Sequence, residues 1–193
     1  MKITIISGST RDDSQSKRIA NHLSFCFTKL NIDNSVLDLN EQKLPLYNAT
    51  ESGPWKLIWN EISRLLNQSD GFIFISPEWD GMFSVGLHNM FHYANKELAD
   101  KPVLLVGVSS GRGGQYPLQQ MRIMGYKNKR FVVIPESLHY DHIQGSLIDN
   151  AFVNNHITER TNYALQVLIE YTKSLKLVRD SGIINYEKFP NGL

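Results

Sequence analysis

The sequence holds a single cysteine, Cys26, in 193 residues. One thiol excludes an intramolecular disulfide, a four-thiolate zinc site and an iron–sulfur cluster, and it points to a reducing compartment. An excess of charge of either sign is also lacking: twenty basic and nineteen acidic side chains leave a formal net charge of +1. A field that weak recruits neither nucleic acid nor an anionic membrane, so no nucleic-acid or membrane partner is expected. Long apolar runs are missing too. The opening run, Ile3 to Ile6 with Thr4 inside it, is closed by Ser7-Gly8-Ser9. That is short of the roughly 7 to 15 residues of a signal-peptide core. Nothing else approaches the roughly 18 that span a bilayer. The expected location is the cytoplasm.

What remains is an ordinary globular composition, 41% hydrophobic and 20% charged. The length suits one domain over residues 1–193 on a prior of about 150 residues each, and a chain of that size can bury a full core. Short β-rich runs alternate with amphipathic stretches. Strands are expected at residues 2–6, 35–39, 71–75, 102–108 and 130–134. The third and fourth are almost wholly apolar, as strands are when helices cover both faces of a parallel sheet. Between them, Ile19, Leu23, Phe27 and Leu30 recur at helical spacing within residues 16–30, and Trp55, Ile58, Trp59, Ile62, Leu65 and Leu66 do so after Pro54. Further helices are expected at 85–96, 118–124 and 149–177, the last capped by Asp149. Alternation of this kind gives an α/β doubly wound sheet. Cys26 falls beside the first helical stripe, the place of an inert buried thiol.

Ligands of open α/β sheets sit beyond the carboxyl ends of the strands. The loop after the first strand, residues 7–18, puts Ser9, Arg11, Ser14, Gln15 and Ser16 at the start of a helix. Free N–H groups, the positive end of the helix dipole and hydroxyls then converge on one spot, which makes an anion site. The loop has neither the GxxxxGK[ST] of a nucleoside triphosphate P-loop nor GxGxxG, so a phosphomonoester such as that of FMN fits better. The plainer alternative is that its serines and aspartates only cap the helix. The loop after the third strand, Ser76 to Ser84, is aromatic and apolar, like a pocket lining or a partner surface. The loop after the fourth, Ser109 to Gln115, carries Gly111, Gly113 and Gly114 around Arg112, and lets backbone amides approach a flat ligand. Two other patterns compete. Gly107-Val108-Ser109-Ser110-Gly111 matches the GxSxG of a serine hydrolase with Ser109 as nucleophile, although the glycines postpone the helix that such an elbow needs. His88 and His92 lie one turn apart, a spacing that can grip a metal, but without the glutamate of HExxH no metal is expected.

Taken together, Gly8-Ser9-Thr10-Arg11 with Ser14 and Ser16, Ser76-Pro77-Glu78-Trp79, and Gly111-Arg112-Gly113-Gly114 with Gln119 and Arg122 resemble the NAD(P)H-dependent FMN reductase family. These are flavodoxin-like flavoproteins that include quinone, chromate and azo-dye reductases. The resemblance implies a three-layer sandwich with a five-stranded parallel sheet in order 2-1-3-4-5 and FMN at its edge. It implies that Ser9, Arg11, Ser14 and Ser16, with the Gln15 amide, hold the phosphate. Pro77, Glu78, Trp79 and Asp80 would run beside the ribityl chain and ring, and Gly111, Arg112, Gly113 and Gly114 would offer amides to the pyrimidine edge. Donors there stabilise the charge left by hydride transfer. The implied activity passes hydride from NAD(P)H through FMN to a quinone, a free flavin or a similar small-molecule acceptor by a ping-pong mechanism. A non-enzymatic electron carrier is the alternative, and no side chain needs to act as catalyst. The chain departs from the family where Trp79-Asp80 replaces Tyr-Asn, Ser84-Val85 replaces Pro-Gly, and Leu87-His88-Asn89-Met90 replaces Leu-Lys-Asn-Ala. Trp79 and Phe83 are expected as ring walls, and Arg112 as a steering charge for the nicotinamide nucleotide. A homodimer or homotetramer is expected to bury Met82, Phe83 and Met90.

Overall fold

Among the described residues the apolar runs form one parallel sheet of β1 (Lys2–Ser7), β2 (Asp33–Asp38), β3 (Gly71–Pro77), β4 (Pro102–Val108) and β5 (Val132–Tyr140). The strands are hydrogen-bonded in the order β2-β1-β3-β4-β5, the flavodoxin-like order. The computed structural model describes residues 1–48, 53, 55–148 and 151–191. The helices are α1 (Gln15–Lys29), α2 (Leu39–Gln42), α3 (Trp55–Asn67), α4 (Val85–Tyr93), α5 (Gln115–Met124) and α6 (Asn155–Asp180). Alternation along the strands divides the core. Ile73, Ile75, Leu104 and Val106 face α1 and α6, whereas Phe72, Phe74, Val103 and Leu105 face α3, α4 and α5. Each such side chain, fully buried, contributes about 1.5–3 kcal/mol. No helix among the described residues is long and apolar enough to cross a membrane.

Most elements lie within a residue or two of expectation, and the larger differences each have a local reason. β5 runs on to Tyr140 instead of stopping at 134, because its register against β4 shifts between Val103 and Leu105. Pro135 falls in that irregularity, and an edge strand tolerates a proline at a bulge. α5 starts at Gln115 instead of 118, with Pro117 in its first turn, where the missing N–H costs no helical bond. α4 stops at Tyr93: Ala94 is extended, and the Asn95 N–H donates to Glu97. α6 starts at Asn155, where Asn154 caps it by accepting the His156 N–H at 2.9 Å. Ahead of it, β6 (Leu147–Ile148) and β7 (Ala151–Phe152) pair antiparallel, with Leu147 and Phe152 inward and Ile148 outward. The expected Asp149 cap and Pro54 lie outside the described residues.

Lys101 ties the second layer together. Its ammonium is buried and donates to the carbonyls of Leu66, Asn67 and Glu97 at 2.8, 3.3 and 2.8 Å. It thereby caps the carboxyl end of α3. Burial pushes its pKa down to about 8. Between pH 8 and 10 the unfolded chain therefore holds a proton that the folded chain has lost, and stability rises with pH, by up to about 3 kcal/mol from this group. Lys129, also lowered by burial, adds in the same sense. Above pH 10 the sign reverses, because burial raises the phenols of Tyr140 and Tyr186, the latter to about 12. Urea unfolding at pH 7.5, 9 and 10 is expected to show the rise, and Lys101→Met to flatten it. A flat profile in the parent would contradict the assignment.

Candidate functional site

The loops at the carboxyl ends of β1, β3 and β4 are tied to one another by backbone bonds, Gly8 N–H to Ile75 O and Glu78 N–H to Val108 O, both 2.9 Å. Between them lies a cavity of about 400 Å³, within the size range of cofactor sites. Ser9, Arg11, Ser14, Gln15 and Ser16 all line it, as do Pro77, Glu78 and Trp79. The Ser16 hydroxyl is buried on this wall with no hydrogen-bond partner. Ser14 caps α1 by accepting the Lys17 N–H at 3.1 Å, and Ser9 Oγ accepts the Arg11 N–H at 3.2 Å. The capping alternative thus holds for Ser14 but leaves Ser16 unexplained. Lys17 is drawn off to Asp38 and Glu41, at 3.5 and 2.5 Å. Arg11 lies over the Trp79 ring, 4.8 Å from its centroid, as a cation–π pair.

The other expected residues fall elsewhere. Trp79 and Met82 exchange two backbone bonds, 3.2 and 2.9 Å, around Asp80 and Gly81 at φ +52° and +72°. This is the two-residue hairpin turn favoured by Asp-Gly. It puts Asp80 at an exposed tip outside the cavity wall. Gln120 braces the turn, donating to Gly81 O at 3.1 Å and accepting the Phe83 N–H at 3.0 Å. Gly111, Arg112, Gly113 and Gly114 also lie off the wall, which Val108, Ser109 and Ser110 line instead. The Gly111 N–H donates to Ser109 Oγ at 3.3 Å and that of Gly114 to Glu78 at 2.5 Å, while Arg112 is exposed at the tip. Ser109 makes no elbow, since α5 begins only at Gln115. His88 and His92 are exposed, their rings 4.9 Å apart; burial and the neighbouring His92 lower the His88 pKa. Among the described residues no three potential ligands gather to hold a metal. Burial raises the half-buried Cys26 thiol, in keeping with an inert role. Met90, expected on an exposed face, is wholly buried against Phe91 and the sheet, whereas Met82 is 55% exposed.

Sequence reasoning missed Asp12, Asp13, Ile143 and Gln144, which complete the wall. The signal for the last two was the true end of β5, hidden by Pro135.

The sequence model of the family described as NADPH-dependent FMN reductase matches residues 1–144. The chain belongs to that family. Its relatives include an NADPH azoreductase of Bacillus sp. (strain OY1-2), 29% identical over 123 residues, or 63% of this chain and 66% of the relative. The FMN-dependent NADPH-azoreductase of Staphylococcus aureus (strain USA300) is 27% identical over 129 residues, 64% of this chain and 69% of that one. The chain thus spans just under two thirds of the Bacillus relative. Among solved structures, the flavoenzyme NAD(P)H:acceptor oxidoreductase of Paracoccus denitrificans shares the fold with a TM-score of 0.72 at 15% identity, over 90% of this chain and 97% of that one.

The cavity of this FMN reductase family member suits the family's cofactor on its own chemistry. A buried hydroxyl without a partner, at the positive end of a 15-residue helix, is a donor waiting for an anion. An aromatic wall beside it, Trp79, suits a flat ring.

Proposed function

We propose that the protein is an NADPH-dependent FMN oxidoreductase acting inside the cell on a small-molecule acceptor of quinone, azo or free-flavin type. The observation that carries this reading is the unpartnered Ser16 hydroxyl on the cavity wall at the start of α1. Ser16, Ser9, the Gln15 amide and the α1 dipole would hold the phosphate, with the rim cation Arg11 beside them. Trp79 would shield one side of the ring from water and guide the next molecule to a stacking position. FMN held there would supply two-electron redox chemistry between NADPH and the acceptor, and with a single cavity for both, the two substrates would alternate at one site. A second copy over Met82 and Phe83 would close the remaining side, giving a homodimer.

Purified protein is expected to carry flavin absorbance or to quench the fluorescence of added FMN. Riboflavin, which lacks the phosphate, should bind at least about a hundredfold more weakly, because charge-assisted hydrogen bonds contribute about 1.5–3 kcal/mol each. Parallel-line initial-rate patterns with NADPH and a quinone would support alternation. Equal affinity for FMN and riboflavin would sink the phosphate assignment. Bound flavin that NADPH fails to reduce would favour an electron carrier.

A further inference from the structure

Glu78 carries a charge that the proposed reaction has not used. It stands just past β3, and its Oε2 accepts the Gly114 N–H at 2.5 Å. Its other carboxylate oxygen lies against Gly113, where a Cβ would come within 3.1 Å of it. Gly114 immediately precedes α5, and that ten-residue helix has no side-chain cap. The carboxylate is therefore the anion at the helix's positive end, fixed by a charge-assisted bond. It is also fixed on the cavity wall.

The other charged side chains on that wall are Arg11, Asp12 and Asp13, all on the turn after β1. Arg11 is turned onto Trp79, and Asp12 accepts the Asn40 amide at 2.7 Å. From the loops after β3 and β4 the wall receives one formal charge, the Glu78 carboxylate. FMN reduced here by hydride from NADPH, with NADP⁺ leaving, would carry its added negative charge against that fixed anion.

We propose that Glu78, clasped by the Gly114 amide, lowers the reduction potential of the cofactor in this cavity and makes it a stronger reductant toward the acceptor. The proposal rests on the FMN reading above. Glu78→Gln keeps an oxygen to accept the Gly114 N–H and removes the charge. Relative to oxidised FMN, the variant is expected to bind reduced FMN about tenfold more tightly than the parent does. That is a rise in midpoint potential of about 30 mV for a two-electron couple. Glu78→Asp retains the charge and should stay within about twofold of the parent ratio. In the apoprotein, hydrogen exchange at the Gly114 amide should be slow in the parent and in Glu78→Gln and fast in Glu78→Ala, which checks the clasp without any flavin. A merely structural Glu78 would shift both affinities equally, and FMN bound with an unchanged ratio overturns this proposal alone. If the parent takes up no FMN, the reading of the site falls and this proposal falls with it.

Discussion

Alanine at Gly107 is expected to destabilise the protein by about 3 kcal/mol or more, the upper end of overpacking effects, and to abolish FMN binding. A Cβ at Gly107 would lie 1.8 Å from the carbonyl oxygen of Gly114 and 2.7 Å from its carbon. Both contacts are backbone, so no rotamer relieves them. Gly107 is paired to Ser76 on one side and His139 on the other, and cannot retreat. Gly114, at φ +93°, is held in turn by the Glu78 carboxylate. The loop must therefore leave its place. For a chain of this length the loss corresponds to a fall in melting temperature of roughly 6–12 °C. Gly111→Ala supplies the contrast, since its Cβ would meet nothing within 4 Å. That variant should lie within about 0.5 kcal/mol of the parent. Denaturant unfolding of the two reads the difference, and equal stabilities would refute the packing argument.

Ser16→Ala should move stability and affinity in opposite directions. Its hydroxyl is buried with no hydrogen-bond partner, and removing an unsatisfied polar group is neutral or stabilising, by up to about 1 kcal/mol. The same hydroxyl is the donor proposed for the phosphate, so FMN affinity should fall by about 1.5–3 kcal/mol, roughly ten- to a hundredfold. Riboflavin affinity should not change. Thermal unfolding of the apoprotein and FMN titration together decide the matter. A variant that loses stability while keeping its FMN affinity would mark Ser16 as an ordinary structural serine.

The strands and both helix layers were legible in the sequence because buried parallel strands leave a dense apolar record, as Phe72 to Ile75 and Val103 to Val106 do, whereas the strand order was implied only by the family resemblance. Ser9 to Ser16 was legible for a different reason: hydroxyls crowded where a strand hands over to a helix have few uses. Asp80, expected beside the ring, stands at a turn tip because Asp-Gly codes for a tight turn. The glycine loop was read as offering free amides, yet Glu78 and Ser109 engage those of Gly114 and Gly111. That engagement pairs residues 36 positions apart, and no local pattern carries it. Met90 was misplaced because an apolar residue on a nine-residue helix belongs to either face until the packing of Phe74 and Phe91 chooses one.

The irregular fifth strand has a consequence for colloidal behaviour. It forms one border of the sheet, and an open border is a template for end-on stacking of further copies into fibrils. Pro135 offers no N–H to an incoming chain, and Glu136 beside it brings a charge to the same stretch. At the opposite border, a strand of only six residues opens on the exposed Asp33. A sheet whose interior strands are almost wholly hydrocarbon thus ends on both sides in residues that refuse a neighbour.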